Sequence, residues 1–570
     1  MIDVCQWSQS DDAFSPCIPY NGAVPFGPRM QRLTPWLIGV GGLLLFTLGL
    51  DNRDFIHLEA RFALFAQTML REGAGFFPTL YGKPYPDYPA SGTLLIDLVS
   101  RLPGRVTTLT AVLPTAAAAA LTLVFTYLIG ASHSPRWGLY AVLFELCTYQ
   151  FLAAARSVSL DPFIALAATG CFYAACTTAT MPEARRATLI AAGLIFGFVM
   201  RGPIGLIIPA AVVAVFDLLE RRWSRVITTS TLSLGLLVIC STGLLAAARA
   251  QGGEGFASEV LRLEAIGRMS ESTRHPPIYF YPVNALTAFA LSFPVALAMT
   301  VCARGAMIRP VTSEWRLVRH LAAWTVVIMA GLSIPAKQEI RYLIPIVPAS
   351  ALMAAALLAE IPSDRLLRRL RGWVLRLFLL MPWLGLGLVI TGASLPRLRA
   401  LTPEDVHLGA AAALMIVLAA LTVVVRRRIV DRIARDLATA ALGAAAFITT
   451  VLLIVEPIAI DLNRVGPFVD EVRSHRTAGA PIAFYKIGPD AADVKFMAAL
   501  DEAVRPLFVR AASEVAALAP DVVIITGRDD FDALPPELKA RTRLLAMGRI
   551  ARSTCVAFSI GMRGETTSPP

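Results

Sequence analysis

Long apolar runs, separated by short polar segments, dominate the pattern of hydrophobic and polar positions along the chain. Runs of about 17 to 25 residues, the length that a helix needs to cross a hydrocarbon core of about 30 Å, recur from about Leu33 to Ile458. Most segments between these runs are rich in arginine, which marks the cytoplasmic side under the positive-inside rule. Alternating the segments across a membrane gives about thirteen spans with the N-terminus inside. The pattern predicts a polytopic α-helical membrane protein.

The order of the spans divides the chain into three regions. Residues 1–32 are predicted to form a cytoplasmic N-terminal segment, which opens with a polar, turn-rich stretch, and Met30 is an alternative start. The membrane domain covers 33–458, and its first loop, at 51–104, lies on the outer side. This assignment makes the first loop the longest polar segment on the outer face within the membrane domain.

The pattern changes after the last apolar run to one typical of a small soluble α/β domain at 459–570. Its predicted strands and helix lie at 481–487, 522–526, 555–560 and, for the helix, 492–504. An odd number of spans after an inside N-terminus places this domain outside, which is the periplasm if the cell is Gram-negative.

Composition agrees with a bilayer protein. The 570 residues are 56% hydrophobic and 16% charged, and the mean hydropathy is +0.62. The net charge of +11 comes mostly from arginines in loops, such as Arg426 to Arg428, so it indicates topology and not a nucleic-acid partner. The eight cysteines have no metal-binding spacing. No phosphate-binding loop or dinucleotide motif is present, so no nucleotide cofactor is expected.

Four cations do not fit the topology rule. Arg201, Arg274, Lys337 and Arg341 fall on the outer side next to the membrane, where cations suggest an anionic ligand. A cation at the depth of Arg201 costs roughly 3 kcal/mol on insertion scales, so it needs a partner or a ligand. Lys337 and Arg341 are four residues apart, on one face of a predicted helix start. The alternative for that pair is anchoring at lipid head groups.

The first outer loop carries an acidic residue beside an arginine. Glu59 and Arg61 stand two apart at the start of an amphipathic helix, whose Phe62, Phe65 and Met69 form one face. That face suits a helix lying in the membrane interface. Glu59 and Arg61 are candidates for site residues, or alternatively only the polar face of this helix.

Further candidates come from three other outer segments. Asp161 begins a predicted membrane helix with Pro162 in its first turn, where the carboxylate serves either as a helix cap or as a functional group. Tyr85, Asp87 and His275 offer a phenolate, a carboxylate and a ring nitrogen to a divalent ion such as zinc, although their spacing is not diagnostic.

Acidic residues and cations thus converge on the outer face in separate loops. Transfer of a sugar from a polyprenyl phosphate needs such a set, because cations neutralise the leaving phosphate and a carboxylate orients or deprotonates the acceptor. The lipid itself carries the activated sugar. The spans are expected to be almost free of charge, which favours catalysis at the surface over transport through the membrane.

At these residues the chain resembles the GT-C membrane glycosyltransferases. The closest likeness is to the aminoarabinose transferases that modify lipid A with an undecaprenyl-phosphate-linked sugar, within the superfamily that includes the dolichyl-phosphate-mannose protein mannosyltransferases. The motifs that carry the resemblance lie at 59–73, 78–89, 159–166, 199–209, 274–282 and 337–352, and read EARFALFAQTMLREG, PTLYGKPYPDYP, SLDPFIAL, VMRGPIGLIIP, RHPPIYFYP and KQEIRYLIPIVPASAL.

The resemblance implies a GT-C fold with a site facing the periplasm, and it implies roles for single residues. Glu59 and Arg61 match the acidic-plus-arginine motif of the family, Asp161 matches its second acidic loop, and Arg201 stands where a phosphate-binding lysine is usual. Tyr85, Asp87 and His275 match a site that holds zinc in relatives, with a shift of one residue for His275.

Two departures from the family pattern concern charged groups. The first acidic motif usually begins with an aspartate, and this chain has Leu58 at that position. Tyr88 replaces a family lysine that contacts phosphate, and Lys83 is a candidate for restoring that contact.

The sequence predicts an enzyme of the inner membrane that transfers a sugar, with inversion, from an undecaprenyl-phosphate donor to a lipid A, glycan or protein acceptor at the periplasmic face. Two alternatives stay open: a transporter or flippase for a lipid-linked glycan, and a degenerate relative that binds the donor without catalysis. The predicted catalytic residues are Glu59 and Asp161. The residues predicted to bind the donor phosphate are Arg61, Lys83, Arg201, Arg274, Lys337, Arg341 and Tyr342.

Overall fold

The computed structural model describes most of the chain. The described residues are 28–51, 53–56, 58–87, 89–177, 181–267, 276–308, 310, 312–359, 364–395 and 406–561. The predictions for Tyr88, Arg274 and His275, and for most of the N-terminal segment, lie outside these residues.

Helices make up the membrane region. In chain order they are α1 Pro28–Thr47, α2 Glu59–Glu72, α3 Ser91–Ser100, α4 Thr108–Ala131, α5 Pro135–Leu146, α6 Tyr149–Ala155, α7 Asp161–Thr177, α8 Glu183–Arg201, α9 Pro203–Leu219, α10 Trp223–Leu261, α11 Phe280–Ala288, α12 Ser292–Cys302, α13 Arg304–Ile308, α14 Ser313–Leu332, α15 Val347–Ala359, α16 Arg365–Ser394, α17 Leu408–Arg428, α18 Arg432–Thr450 and α19 Glu456–Asp461. Three further segments are a π-helix at Arg262–Gly267 after α10, a 3-10 helix at Ile340–Ile346 before α15, and a π-helix at Val451–Val455 between α18 and α19.

Several of these helices have the length and composition of membrane spans. Among the described residues, six helices are long and apolar enough to cross a membrane, or eight if two bent pairs each count as one span. The pair α5 and α6 is bent by 78°, and the pair α11 and α12 by 119°. The chain is therefore a membrane protein with several spans, and the predicted total of about thirteen stays a prediction.

Buried charges lie mostly near helix ends, so the expectation that the spans are almost free of charge stays a prediction. Arg186 in α8 donates to Asp217 in α9 at 2.7 Å, and Arg371 in α16 donates to Asp436 in α18 at 3.1 Å. Glu145 is fully buried in α5. The sequence shows each of these charged residues but not the pairing, because a different helix supplies the partner of Arg186 and of Arg371.

The C-terminal region contains a five-stranded sheet. Its elements are α20 Gly466–His475, β3 Ile482–Tyr485, α21 Ala492–Leu500, β4 Leu507–Val509, α22 Ala512–Ala516, β5 Val523–Gly527, α23 Arg528–Asp532, α24 Pro536–Lys539, β6 Thr542–Ile550 and β7 Ser553–Ile560. The strand order is β4-β3-β5-β7-β6. Strand β3 is parallel to β4 and β5, whereas β7 is antiparallel to β5 and β6.

The three predicted strands are present as β3, β5 and β7, and the predicted helix is α21. This helix ends at Leu500, earlier than predicted, because Asp501 adopts a left-handed conformation with φ 52° and stops it. One face of the sheet packs against α20 and α21 through Phe484 and Phe496. The opposite face packs with α23, where Phe531 contacts Phe558.

Helix α2 lies between two hydrophobic cores. Phe62 and Phe65 belong to the core of the membrane domain. Ala60 and Leu64, on another face, belong to the core that the C-terminal sheet forms with α20 and α21. The predicted first loop and the C-terminal sheet therefore pack together around α2.

The face of α2 that was predicted to lie in the membrane interface is inside the protein. Phe62, Phe65 and Met69 are at most 5% exposed. That prediction was wrong, because an amphipathic pattern shows that a face is covered and not whether lipid or protein covers it. A short hairpin follows α2, with β1 Thr79–Leu80 antiparallel to β2 Lys83–Pro84.

Candidate active site

A cavity of about 460 Å³ lies between the start of α2, helix α6, the 3-10 helix and the junction of α18 with α19. Five charged side chains line it: Glu59, Arg156, Glu339, Arg341 and Glu456. Leu58 is part of the same wall. We refer to this space as the large cavity. Its volume falls in the range of ligand-binding pockets, and its walls come from four distant parts of the chain.

Glu59 is held on both oxygens. Arg53 donates to both of them at 2.9 Å in a bidentate pair, and the backbone N–H groups of Ile56 and Val158 donate at 2.8 and 3.2 Å. Glu59 is 1% exposed. This carboxylate connects α2 to the segment before α7. Its two oxygens accept four hydrogen bonds.

Arg156 and Glu456 form a second bidentate pair in the wall. Arg156 donates to the two oxygens of Glu456 at 2.9 and 3.2 Å. It also donates to the backbone carbonyls of Leu45 and Leu48 at 2.7 and 2.8 Å. This pair therefore connects α6, the end of α1 and α19.

Glu339 and Arg341 stand at the start of the 3-10 helix. The Nε atom of Arg341 lies 2.5 Å from Oε2 of Glu339. Asp161 is close enough to Arg341 to stabilise its positive charge as well. Arg341 therefore links the large cavity to the start of α7.

A second cavity, of about 40 Å³, lies between the start of α7, the end of α8 and the 3-10 helix. Four of its polar lining residues are Asp161, Arg201, Lys337 and Tyr342. We refer to it as the small cavity. These four residues were all predicted from the sequence, and they come from α7, α8, the 3-10 helix and the segment before it. The structure thus brings together candidates that are up to about 180 residues apart.

Asp161 is the first residue of α7 and is 1% exposed. The hydroxyl of Ser159 donates to its Oδ2 at 3.3 Å, and Nη2 of Arg201 lies 3.9 Å from its Oδ1. Asp161 is thus an anion at the positive end of the α7 dipole, facing a cation. Its neighbours support a role in the site beyond that of a helix cap.

Arg201 is the last residue of α8, where the negative end of the helix dipole favours a cation. Its guanidinium lies 5.7 Å from the ring centre of Tyr342. Gly202 then takes φ 68°, and a Cβ at that position would lie 3.3 Å from the carboxylate of Glu264. The turn after Arg201 therefore favours glycine because of its positive φ.

Lys337 and Arg341 are not on one helical face, so that prediction was wrong. The 3-10 helix begins only at Ile340, and Glu339 before it is extended, with φ −131° and ψ 137°. As a result, exposed Lys337 lines the small cavity and Arg341 lines the large one. Tyr342 lies between the two arginines, with the Arg341 guanidinium 5.5 Å from its ring centre.

The residues of the first loop contact the C-terminal domain. The Nε atom of Arg61 is 2.6 Å from Oδ1 of Asp490, and the Tyr85 hydroxyl donates to Oδ2 of Asp490 at 2.9 Å. The Tyr81 hydroxyl donates to Asp493 at 2.7 Å. Burial raises the pKa of both tyrosines well above its usual value, so both keep the proton that they donate. The phosphate-binding role of Arg61 stays a prediction.

The predicted metal site is only partly described, because His275 lies outside the described residues. Asp87 is half-buried near Tyr85. Within the described part of the chain, no group of three or more His, Cys, Asp or Glu side chains is placed to hold a metal ion. The Tyr85 ring faces the Arg61 guanidinium, 5.6 Å from the ring centre, and the metal site stays a prediction. Lys83 is exposed on β2.

Comparisons with known proteins agree with this architecture. Residues 87–245 match the sequence model of the dolichyl-phosphate-mannose-protein mannosyltransferase family. The crystal structure of ArnT from Cupriavidus metallidurans bound to undecaprenyl phosphate matches with a TM-score of 0.73 and 17% sequence identity. The apo form of the same protein matches with a TM-score of 0.71 and 16% identity. Both matches cover 92% of this chain and 98% of ArnT. The chain has the fold of ArnT. No curated protein sequence matches it.

The ArnT fold confirms the GT-C resemblance that the motifs predicted. The range that matches the family model contains Asp161 and Arg201, which line the small cavity. Glu59 and Arg341 lie outside that range. The shared fold explains why short loops that are far apart in sequence converge at one place.

Sequence reasoning missed several charged residues of this candidate site. Arg53, Arg156 and Glu456 form the two bidentate pairs of the large cavity together with Glu59. A signal was present for Arg156, which lies only five residues before Asp161 in the same predicted outer turn. Glu339 lies between two residues that were singled out, Lys337 and Arg341, and its opposite charge was overlooked.

Proposed function

We propose that this chain transfers a sugar from a polyprenyl-phosphate donor to an acceptor at the periplasmic face of the inner membrane. The observation that carries the proposal is the small cavity, where Asp161, Arg201, Lys337 and Tyr342 meet beside the large cavity. The ArnT structure with the same fold holds undecaprenyl phosphate. The family that matches residues 87–245 is named for a dolichyl-phosphate sugar. Both relationships point to the same class of donor.

The charges around the small cavity fit a leaving phosphate. Arg201 and Lys337 would neutralise the charge that develops on the phosphate as the bond to the sugar breaks. Buried Asp161 would hold Arg201 in place and limit the repulsion between the cations. Preorganised charges of this kind stabilise a transition state without reorganising during the reaction.

The position of the large cavity fits inverting transfer. An acceptor in that cavity would approach the anomeric carbon from the side of Arg341, while the phosphate leaves on the side of Arg201. Attack opposite the leaving group inverts the anomeric centre. No step needs a metal ion or a nucleotide in this scheme.

Transfer assays with an Asp161→Asn variant test the proposal. Membranes would receive radiolabelled polyprenyl-phosphate mannose or polyprenyl-phosphate aminoarabinose, and incorporation into other molecules would be measured. We expect a loss of about 10² to 10³-fold, because the carboxylate that faces Arg201 in the small cavity is removed. Asp470→Asn is a matched control, since Asp470 is exposed on α20.

Two results would contradict sugar transfer. Unchanged incorporation in the Asp161→Asn variant would remove the small cavity from the reaction. Movement of a lipid-linked sugar across proteoliposomes by the wild-type protein, without transfer to any acceptor, would favour a flippase instead.

A further inference from the structure

Three carboxylates line the large cavity, and their bonding differs. Both oxygens of Glu59 accept from Arg53, and both oxygens of Glu456 accept from Arg156. Glu339 contacts Arg341 through Oε2 alone. Among the described residues, its Oε1 atom makes no hydrogen bond, and the side chain is 36% exposed. Glu339 is thus the carboxylate of this cavity that is placed to accept a proton from a ligand.

The cationic groups of the same cavity are already neutralised. Arg156 pairs with Glu456, and Arg341 pairs with Glu339. Arg53, behind Glu59, completes the first bidentate pair. An acceptor that carries a phosphate would therefore find no uncommitted cation in the wall and would face three carboxylates. A neutral acceptor avoids that repulsion.

Leu58 is an apolar part of this wall, next to Glu59 in sequence. It occupies the position where the family resemblance led us to expect a carboxylate. A leucine side chain cannot accept a proton, and Glu59 is committed to Arg53. Glu339 approaches the same cavity from the 3-10 helix, a different part of the chain.

The 3-10 helix start separates the two cavities. Glu339 and Arg341 line the large cavity, and Tyr342 lines the small one. A base on this short segment lies at the border between the place proposed for the phosphate and the space left for an acceptor.

We propose that the large cavity binds a neutral, hydroxyl-bearing acceptor and that Glu339 takes the proton from that hydroxyl; this inference rests on the proposed sugar transfer. The acceptor oxygen forms a bond to the anomeric carbon. The bond between that carbon and the phosphate oxygen breaks, and its electron pair leaves with the phosphate. The hydroxyl proton moves to Oε1 of Glu339. Arg341 holds the carboxylate in position through Oε2.

A set of variants tests the role of Glu339. Wild type, Glu339→Gln, Glu339→Asp and the double variant Leu58→Asp/Glu339→Gln would be assayed in membranes with the two radiolabelled donors named above. We expect Glu339→Gln to lower the transfer rate by about 10² to 10⁴-fold, the range for loss of a general base, and Glu339→Asp to lower it less. Leu58→Asp should restore at least tenfold over Glu339→Gln, because it places a carboxylate in the same wall. Glu254→Gln is the matched control, since Glu254 is 81% exposed on α10.

Two readouts separate a base from a merely structural residue. Binding of undecaprenyl phosphate to the purified full-length protein should change less than twofold in Glu339→Gln. The transfer rate of the wild type should fall in one titration step as the pH is lowered. The transfer rate of Glu339→Gln should not show this step. Unchanged transfer in Glu339→Gln, or equal losses of transfer and of lipid binding, would overturn the role of Glu339.

The linkage in the product tests the acceptor class. Sugar attached to a hydroxyl survives mild acid, whereas sugar attached to a phosphate is released. Label that resists mild acid supports the inference, and released label overturns it even if transfer itself is real. Absence of transfer and of undecaprenyl phosphate binding by the wild type would instead overturn the proposed function, and this inference with it.

Discussion

The two groups of predicted site residues, one in the first loop and one around the small cavity, have different surroundings. In the first loop, Glu59 is bonded to Arg53 and Arg61 to Asp490. Around the small cavity, Asp161 and Arg201 face each other at 3.9 Å, longer than a hydrogen bond. The first group is joined by close contacts that hold elements together. The charged side chains of the second group line the small cavity. A charged motif is thus structural where its side chains are paired between elements, and it is a functional candidate where its side chains line a cavity.

Removing the carboxylate of Glu59 is the strongest test of this contrast. We expect Glu59→Gln to lower the free energy of unfolding by about 3 to 5 kcal/mol, because Arg53 is left buried without its partner. Thermal unfolding of the purified protein would measure the loss. The double variant Arg53→Met/Glu59→Leu removes both charges and should recover part of it. An unchanged stability combined with lost transfer would show that Glu59 belongs to the chemistry instead.

Replacing Arg201 tests the other group. We expect Arg201→Ala to reduce transfer by about 10² to 10³-fold, as for loss of a group that stabilises charge in the transition state. Arg201→Lys should retain transfer to within tenfold, since a lysine also supplies a positive charge at this helix end. Initial rates with labelled donor would be compared with those of Arg549→Ala, an exposed arginine of the C-terminal sheet. Equal losses in both Arg201 variants would show that the guanidinium shape, and not its charge, is needed.

The contact between Arg61 and Asp490 connects the two domains, and a double-mutant cycle would measure it. Asp490→Asn should lower the free energy of unfolding by about 1.5 to 3 kcal/mol, the range for hydrogen bonds that involve charged groups. Arg61→Met should give a similar loss, and the double variant less than the sum. If Arg61→Met alone weakened binding of undecaprenyl phosphate, Arg61 would belong with the phosphate ligands as first predicted.

The smallest effect is expected at the edge of the same contact. Arg71 on α2 pairs with Asp501 just after α21, and both side chains are about one-third exposed. Arg71→Ala should lower the free energy of unfolding by no more than about 1 kcal/mol, because solvent screens such pairs. Chemical unfolding would detect the change, and a loss above that of Asp490→Asn would mean that the rim, and not the centre, of this contact stabilises α2.

The sequence predicted those features that leave a regular pattern. Apolar runs predicted the membrane helices because a bilayer requires long apolar segments. Short apolar runs predicted β3, β5 and β7, and β3 is buried along its whole length. The strands β4 and β6 were missed: β4 is short, and β6 exposes Leu544 and Met547 on its edge.

The candidate site was predicted as single residues and not as pairs. Asp161, Arg201 and Lys337 were found because cations or acids next to an apolar run are unusual. The partners of Glu59 and Arg61 could not be found in this way. Arg53 precedes Glu59 by six residues in an irregular segment, and Asp490 is more than four hundred residues from Arg61. Only the fold brings such residues together.

The position of α2 between two cores has a consequence for synthesis. Leu64 is covered by residues such as Phe468 and Phe496, which are among the last hundred or so to leave the ribosome. Until they arrive, α2 has one apolar side without cover, although domains usually complete themselves in the order of translation. The part of the large-cavity wall that α2 provides therefore forms late, after the C-terminal sheet has been translated and folded. A chain that terminates early would contain the apolar helices but would leave this side of α2 uncovered.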